Sequence, residues 1–434
     1  MRICFFTNTF LPHVGGVARS VETFLKCYRR KRHKVLVVAP EFAEGSAPAG
    51  IERMVLRVPS IQNFNGSNFS VRLPLATSLT DRLDKFPADI IHTHHPFLLG
   101  DTALRIAASR NLPVVFTHHT LYEQYTHYMP FDSERVQEFV IELATRFANR
   151  CHGVIAPSES IARLIASRGV TVPIRVVPTG IDSKKIAGGN RQRLRGKLGI
   201  PDDAVVIGHV GRLAEEKNLD FLGKAVASAL KRLKNARLLV VGTGPAQTSM
   251  EKLMDERGVA DRAHFTGTLT GTQLIDAYAA MDLFAFTSHS ETQGLVVTEA
   301  MAAGLPVIAL DASGVREVVE DRTNGRLLAS DASVESMARI LASTVLNEDL
   351  RGSWSAAARK TAARFDQDVT ADRALEFYRA IVAAHRKADG PAAVDSSWDS
   401  FVDRITIEAQ LITDKIGAIS HALTGSAVQA GRSS

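Results

Sequence analysis

Two carboxylates stand on either side of a glycine in the stretch Ser288 to Leu310, S-H-S-E-T-Q-G-L-V-V-T-E-A-M-A-A-G-L-P-V-I-A-L. Glu291 precedes Gly294 and Glu299 follows it. Gly294 lets backbone come close to a ligand, and the N–H groups of Gly294, Leu295 and Val296 open what reads as a helix. A helix N-terminus attracts phosphate, whereas carboxylates repel phosphate and accept hydrogen bonds from hydroxyls. The combination suits a phosphate flanked by hydroxyl-bearing rings, as in a nucleotide-sugar. The plain alternative is a helix with two solvated glutamates, which any α/β protein can carry. This stretch by itself leaves both readings standing.

The elements that must hold these residues follow from pattern. The apolar run Asp282 to Ser288 is short enough for a buried parallel strand, and Pro306 to Leu310 reads as the next one. Val296 to Ala303 between them reads as a helix stopped by Gly304 and Pro306. Upstream, Ala204 to Leu213 is a strand and turn, and Asn218 begins a helix. Arg212 and Lys217 fall in that turn, where two cations suit a diphosphate and its leaving charge. An exposed basic turn is the plain alternative. Arg237 to Gly244 and Arg262 to Gly267 are further strands, and Val315 to Glu320 and Thr323 to Leu328 close the sheet.

The N-terminal half repeats the alternation. Arg2 to Asn8 is a strand, Thr9 to Gly16 a loop ending in Gly15 and Gly16, Val17 to Arg30 a helix and Lys34 to Pro40 a strand. This is a βαβ unit without the G-x-G-x-x-G dinucleotide fingerprint. Asp89 to His94 and Pro113 to His119 are strands that end in histidines, at the edge where open α/β sheets bind ligands. His92, His94, His95, His118 and His119 show neither a helical H-x-x-x-H nor a nearby cysteine pair, so a metal is not expected. Tyr122, Tyr125 and Tyr128 recur at three-residue spacing as an aromatic edge. Arg29, Arg30, Lys31, Arg32 and Lys34 pack five fixed charges into six positions at the end of a helix. They suit either the helix dipole or an anionic lipid surface. Asp132 to Arg150 reads as a long helix, and Ser158 or Glu159 caps the helix after the strand at Gly153. The glycine- and charge-rich Ser183 to Gly196 reads as the linker region and the entry to the second domain.

Composition sets outer bounds. A chain of 434 residues with 45% apolar and 23% charged residues has room for two or three globular domains. The excess of 52 Lys and Arg over 46 Asp and Glu, with a pI near 9.2, is mildly basic. It fits an anionic ligand or surface without requiring one. Cys4, Cys27 and Cys151 lack metal-like spacing, and a reducing compartment is expected. The N-terminus turns polar too soon for a signal peptide, and no run reaches the roughly 18 apolar residues of a spanning helix. Any membrane contact is therefore expected to be peripheral. After the linker Ala388 to Ala392, an apolar stripe from Trp398 to Leu423 fits one face of an amphipathic helix.

Two glutamates with seven residues between them, followed by A-M-A-A-G-L-P-V-I, resemble the signature of retaining glycosyltransferases of the GT-B fold, the family 4 type. G-R-L-x-x-E-K-N resembles that family's phosphate-binding motif, and H-T-x-Y-x-x-Y-T-H-Y resembles its diacylglycerol glucosyltransferase branch. The resemblance covers about Met1 to Lys387. It implies an α/β chain of two Rossmann-like parallel-sheet domains facing a central cleft: an acceptor-side domain over 1–182 and a donor domain over 183–365. A helix over 366–387 would cross back, leaving 388–434 as linker and amphipathic tail. It implies that Glu299 holds ribose hydroxyls, that Glu291 and His119 contact the transferred sugar, and that Arg212 and Lys217 hold the diphosphate. Gly15 and Gly16 would lie near the donor phosphates and acceptor, and Arg262 near the nucleotide base. The activity implied is transfer of a hexose, from a UDP-glucose-type donor to a lipid hydroxyl such as that of diacylglycerol. The configuration is retained, with the leaving phosphate as base and no metal cofactor. The tyrosines and the basic run would then serve acceptor and membrane, on the inner face of the cell membrane. A GDP-mannose-dependent or polysaccharide-assembling enzyme is the alternative inside the class; a non-catalytic nucleotide-sugar or lipid binder is the one outside it.

Overall fold

The structure is a computed structural model that describes residues 1–13, 15–42, 47–61, 71–72, 77–123, 134–289 and 291–389. Tyr125, Tyr128 and the Trp398 to Leu423 stripe lie outside the described residues. The chain divides into two units, Met1–Thr179 joined by the segment from Thr370 onward, and Gly180–Val369.

The first unit is built on apolar runs that can only be satisfied by burial on both faces. Its strands are β1 (Arg2–Phe6), β2 (Lys34–Pro40), β3 (Val55–Val58), β4 (Ile90–Thr93), β5 (Val114–Thr117), β6 (Gly153–Ala156) and β7 (Ile174–Val176). They pair in parallel in the order β3-β2-β1-β4-β5-β6-β7. The order reverses between β1 and β4, which is where such sheets bind ligands at their carboxyl ends. The helix Gly16–Arg30 lays Val21, Phe24, Leu25 and Tyr28 on one side of the sheet, against Phe5, Val35 and Val37. The last helix of the described residues, Gln367–Asp389, returns Leu375, Phe377 and Tyr378 to the same cluster. Gly153 makes room for it: a Cβ there would stand 2.6 Å from the Phe377 ring. Each such side chain removed from water contributes roughly 1.5–3 kcal/mol.

The second unit has strands β8 (Val205–Val210), β9 (Ala236–Val241), β10 (Ala263–Phe265), β11 (Leu283–Phe286), β12 (Val307–Leu310) and β13 (Gly325–Leu328). They are parallel in the order β10-β9-β8-β11-β12-β13, again reversing beside the first strand. Two stretches differ from expectation. Val315 to Glu320 is a turn, not a strand, and β13 alone follows β12. Ser183 to Gly196 is not open linker but carries two helices, Ser183–Ala187 and Arg191–Leu198, each started by an accepting side-chain oxygen, of Asp182 and Asn190. Arg195 explains the second: it is wholly buried, pairs with Asp282 at 2.7 Å and donates to the carbonyls of Ala280, Pro201, Asp202 and Ala204. A guanidinium with that many acceptors is a clamp on the unit's first turns.

Candidate active site

The second unit gathers its predicted residues around the ends of β8 and β11. Residues 215–217 form a 3-10 turn after β8. The Thr287 hydroxyl donates to the carbonyls of Lys217 and Asn218, at 3.0 and 3.2 Å, and the Ser288 hydroxyl donates to that of Glu216. These bonds from the end of β11 fix the turn, and with it Lys217. Its ammonium lies 2.6 Å from Glu291, with side chains 17% and 15% exposed. Arg212 is more open and pairs with Glu216. The backbone under Arg212 is tight: a Cβ at Gly242, whose φ is 136°, would stand 1.8 Å from the Gly211 carbonyl oxygen. Only glycine serves there.

The helix Leu295–Ala302 begins at Gly294, which sits in the left-handed region with φ 69° and offers no side-chain cap. Its first N–H groups therefore open toward whatever stands at the end of β11, and the dipole favours an anion there. Leu295 and Val296 occupy the first turn, as expected. Glu299 is only 3% exposed, and the Tyr278 hydroxyl donates to it at 2.9 Å. One carboxylate is thus paired with a cation at the surface, and the other is buried one turn into the helix.

In the first unit the histidines lie together at the carboxyl edge. His119 is half-buried, and its Nε2 lies 2.9 Å from His94 Nδ1. His92 bonds Thr117 and Tyr378, and His95 Nδ1 accepts from the Asn8 backbone N–H at 3.1 Å. Burial pulls His92 and His95 down to about 3 and His118 to about 4, so all three are neutral at physiological pH. His94 and His119 are held well below the ordinary value by burial and by the neighbouring rings. Asn8, which the sequence reading passed over, ties the edge together: its Oδ1 accepts from the Leu99 N–H that starts a helix. Gly15 precedes the helix Gly16–Arg30 in extended backbone that any residue adopts. A Cβ at Gly16 would meet nothing within 4 Å, so no packing in the described chain demands a glycine there.

Other predicted residues have partners of their own. Arg262 donates to the carbonyls of Leu230 and Leu233, at 2.7 and 2.9 Å, and so caps the end of the helix Leu219–Arg232. Tyr122 is half-buried: its hydroxyl is buried, and its ring packs edge-on against Phe97 and His118. In the basic run, Lys31 is paired with Asp372 at 2.8 Å, while Arg29, Arg30, Arg32 and Lys34 are exposed. Among the described residues no group of three His, Cys, Asp or Glu could hold a metal, and no helix is long and apolar enough to cross a membrane.

Comparison with known proteins bears on what these two edges are for. Residues 190–361 match the profile of the glycosyl transferases group 1, and residues 14–185 that of glycosyltransferase family 4. The chain is 32% identical over 339 residues to the alpha-monoglucosyldiacylglycerol synthase of Streptococcus pneumoniae, covering 75% of each. It is 30% identical over 388 residues to a GDP-mannose-dependent alpha-mannosyltransferase of Mycobacterium tuberculosis, covering 88% of this chain and 97% of that one. The crystal structure of Anabaena HepE in complex with UDP-glucose matches with a TM-score of 0.69 at 23% identity, over 88% of this chain and 100% of that chain. That likeness speaks for the fold. With two Rossmann-like parallel sheets and matching profiles across both, the chain belongs to the family 4, group 1 glycosyltransferases of the GT-B fold and is a hexosyltransferase.

Proposed function

We propose that the enzyme moves a hexose from a UDP-linked sugar to the hydroxyl of a diacylglycerol-type lipid, with retention at the anomeric carbon. The observation that carries the donor side is the cluster of Lys217, Glu291 and the helix start at Gly294, with Glu299 buried behind it. In this reading Lys217, Arg212 and the N–H groups of Leu295 and Val296 stabilise the charge that grows on the leaving diphosphate. Glu299 accepts from ribose hydroxyls, held in place by Tyr278. Glu291 and His119 orient the sugar. The bond from the anomeric carbon to the phosphate oxygen breaks, and one to the acceptor oxygen forms on the same face. The acceptor's proton passes to the departing phosphate oxygen, so no separate base is needed. Lys217 sheds its contact with Glu291 as the phosphate arrives, which leaves that carboxylate for sugar hydroxyls.

The lipid acceptor rests on the similarity to a synthase named for monoglucosyldiacylglycerol and on the exposed basic residues of the first unit. These would hold the enzyme on an anionic surface, at about 1 kcal/mol per residue. The mannosyltransferase similarity supports a second reading, with GDP-mannose as donor. The deciding experiment incubates the enzyme with UDP-glucose, UDP-galactose or GDP-mannose and mixed-micelle diacylglycerol, and reads products by mass spectrometry. A hexosyl-diacylglycerol and UDP, formed together and only with both substrates, are expected. Product from GDP-mannose alone would move the assignment to the second reading. Chelator is expected to leave the rate unchanged; a loss restored by Mg²⁺ or Mn²⁺ would reject the metal-free reading.

A further inference from the structure

The histidine edge of the first sheet carries hydrogen bonds whose direction can be worked out from one end. Tyr28 donates its hydroxyl to that of Tyr378 at 3.3 Å, and the Tyr378 hydroxyl lies 2.5 Å from His92 Nδ1. Burial keeps both phenols protonated. With its oxygen accepting from Tyr28, Tyr378 gives its own proton to His92 Nδ1. The proton of His92 is then on Nε2, donated to Thr117 at 2.6 Å. His92 is therefore fixed as one tautomer.

His94 faces a different choice. Its ring lies 4.1 Å from that of His92, and Phe5 meets both rings edge-on. Its Nδ1 is 2.9 Å from His119 Nε2, while its own Nε2 is buried with no partner among the described residues. A neutral imidazole has one proton. Placed on Nε2, that proton would be a buried N–H with no acceptor, the rarer and costlier orphan. Placed on Nδ1, it is donated to His119, and only a lone pair is left over.

We propose that His94 is a positioning residue, which donates Nδ1–H to His119 Nε2 and thereby fixes the proton of His119 on Nδ1. His119 then acts as a hydrogen-bond donor through its other nitrogen, the polarity that suits the oxygen of a sugar hydroxyl. This consequence rests on the reading of His119 as a donor-sugar contact; the tautomer itself does not. The final helix takes part as well, because Tyr378 anchors the neighbouring ring against which His94 is packed.

Protein labelled with ¹⁵N at the histidine rings, recorded at pH 7.5 without donor, reports each tautomer, and the His119→Gln variant assigns the signal. His119 with a protonated Nδ1 and a bare Nε2 is expected; a protonated Nε2 overturns the proposal. His94→Phe keeps the ring and removes the donor. In it the His119 signature should give way to a tautomer mixture and kcat/KM should fall about tenfold, while His94→Asn, which retains a donor at that position, stays within about threefold. An unchanged Nδ1–H signature in folded His94→Phe also overturns the proposal. The wild-type spectrum decides even where that variant fails to fold. If the tautomer is as stated but His119→Gln binds UDP-glucose like wild type, the proposal stands and the sugar-contact reading falls.

Discussion

Next to its first strand, across the reversal in strand order, the first sheet carries His92, His94 and His95, with 1%, 0% and 7% of their surface exposed. At the corresponding point the second sheet carries Ser288 and Glu291, facing Lys217, with the ion pair 15% to 17% exposed. Two sheets that reverse beside their first strand thus place polar residues at the same topological point and fill it with opposite chemistry. The reason is access to water. A buried edge tolerates polar rings only when they are neutral and hydrogen-bonded, whereas a partly wet one can keep full charges. The first unit carries neutral, hydrogen-bonded rings at this point, and the second a charged pair.

The largest test of this contrast is acid. The folded pKa values of His92, His95 and His118 lie at about 3 to 4, below the unfolded value of about 6.5. Between those limits the unfolded chain binds more protons, so stability is whole above about pH 6.5 and falls as the pH drops toward 3. His94 and His119 shift in the same direction. Each neutral histidine contributes a slope of up to about 1.4 kcal/mol per pH unit, so several kcal/mol are lost by about pH 5. The second unit has one fully buried counterpart, His209, at about 4. Hydrogen exchange read unit by unit should show amides of β1, β4 and β5 losing protection first on acidification. Equal loss in both units would break the contrast.

Next in size is the charge of Lys217. If Lys217 holds the leaving diphosphate as proposed, Lys217→Ala removes a positioned cation from where charge grows, and a fall in kcat of about 10²- to 10³-fold is expected. Arg212→Ala should cost less, because its side chain is 49% exposed where that of Lys217 is 17% exposed. Steady-state kinetics with saturating donor separates the two. Equal effects would mean that openness is not what ranks these cations.

Smaller again is the support beneath Glu299. Tyr278→Phe deletes the hydroxyl that donates to it and takes one hydrogen bond from a buried carboxylate, at a cost of about 1–3 kcal/mol. Urea unfolding should register that loss, and adding Glu299→Gln should recover part of it. No loss in the single variant would mean that solvent or another group already serves the carboxylate.

How much of this could be read from the chain depended on distance along it. The helix at 295–302 was legible because Gly294 and Gly304 bracket it, and β2 was legible as an unbroken apolar run. The contact of Lys217 with Glu291 spans 74 positions and exists because β11 returns beside β8, which no local pattern encodes. Tyr378 meets His92 across 286 positions; helical periodicity says that Tyr378 is buried but not what it touches. Arg262, which the resemblance sets near the nucleotide base, also reaches the helix end at Leu230 and Leu233 across 32 and 29 positions, a contact that no local pattern encodes. Arg195 was missed for the converse reason. A basic, glycine-rich stretch looks solvated, and the signal that could have corrected this was the pair of caps, Asp182 and Asn190, at its helix starts.

The smallest effect concerns the basic run, and it separates the units once more, since those charges belong to the first and the proposed diphosphate cations, Arg212 and Lys217, to the second. Four of the five side chains are exposed, but Lys31 is held by Asp372 of the final helix at 2.8 Å. A paired ammonium adds little to the field felt by a lipid surface, and what remains fades within a Debye length of about 8 Å at physiological salt. Arg32→Gln should therefore weaken binding to anionic vesicles by about 1 kcal/mol, roughly fivefold, and Lys31→Gln by clearly less. Asp372→Asn should tighten binding, because it removes an anion and releases Lys31 together. Flotation with vesicles containing phosphatidylglycerol, at low and at physiological salt, reads all three variants, and UDP titrations alongside should be indistinguishable from wild type. If Lys31→Gln weakens flotation as much as Arg32→Gln, the ion pair does not persist at the surface. If none of the three moves it, the basic run is not what meets the lipid.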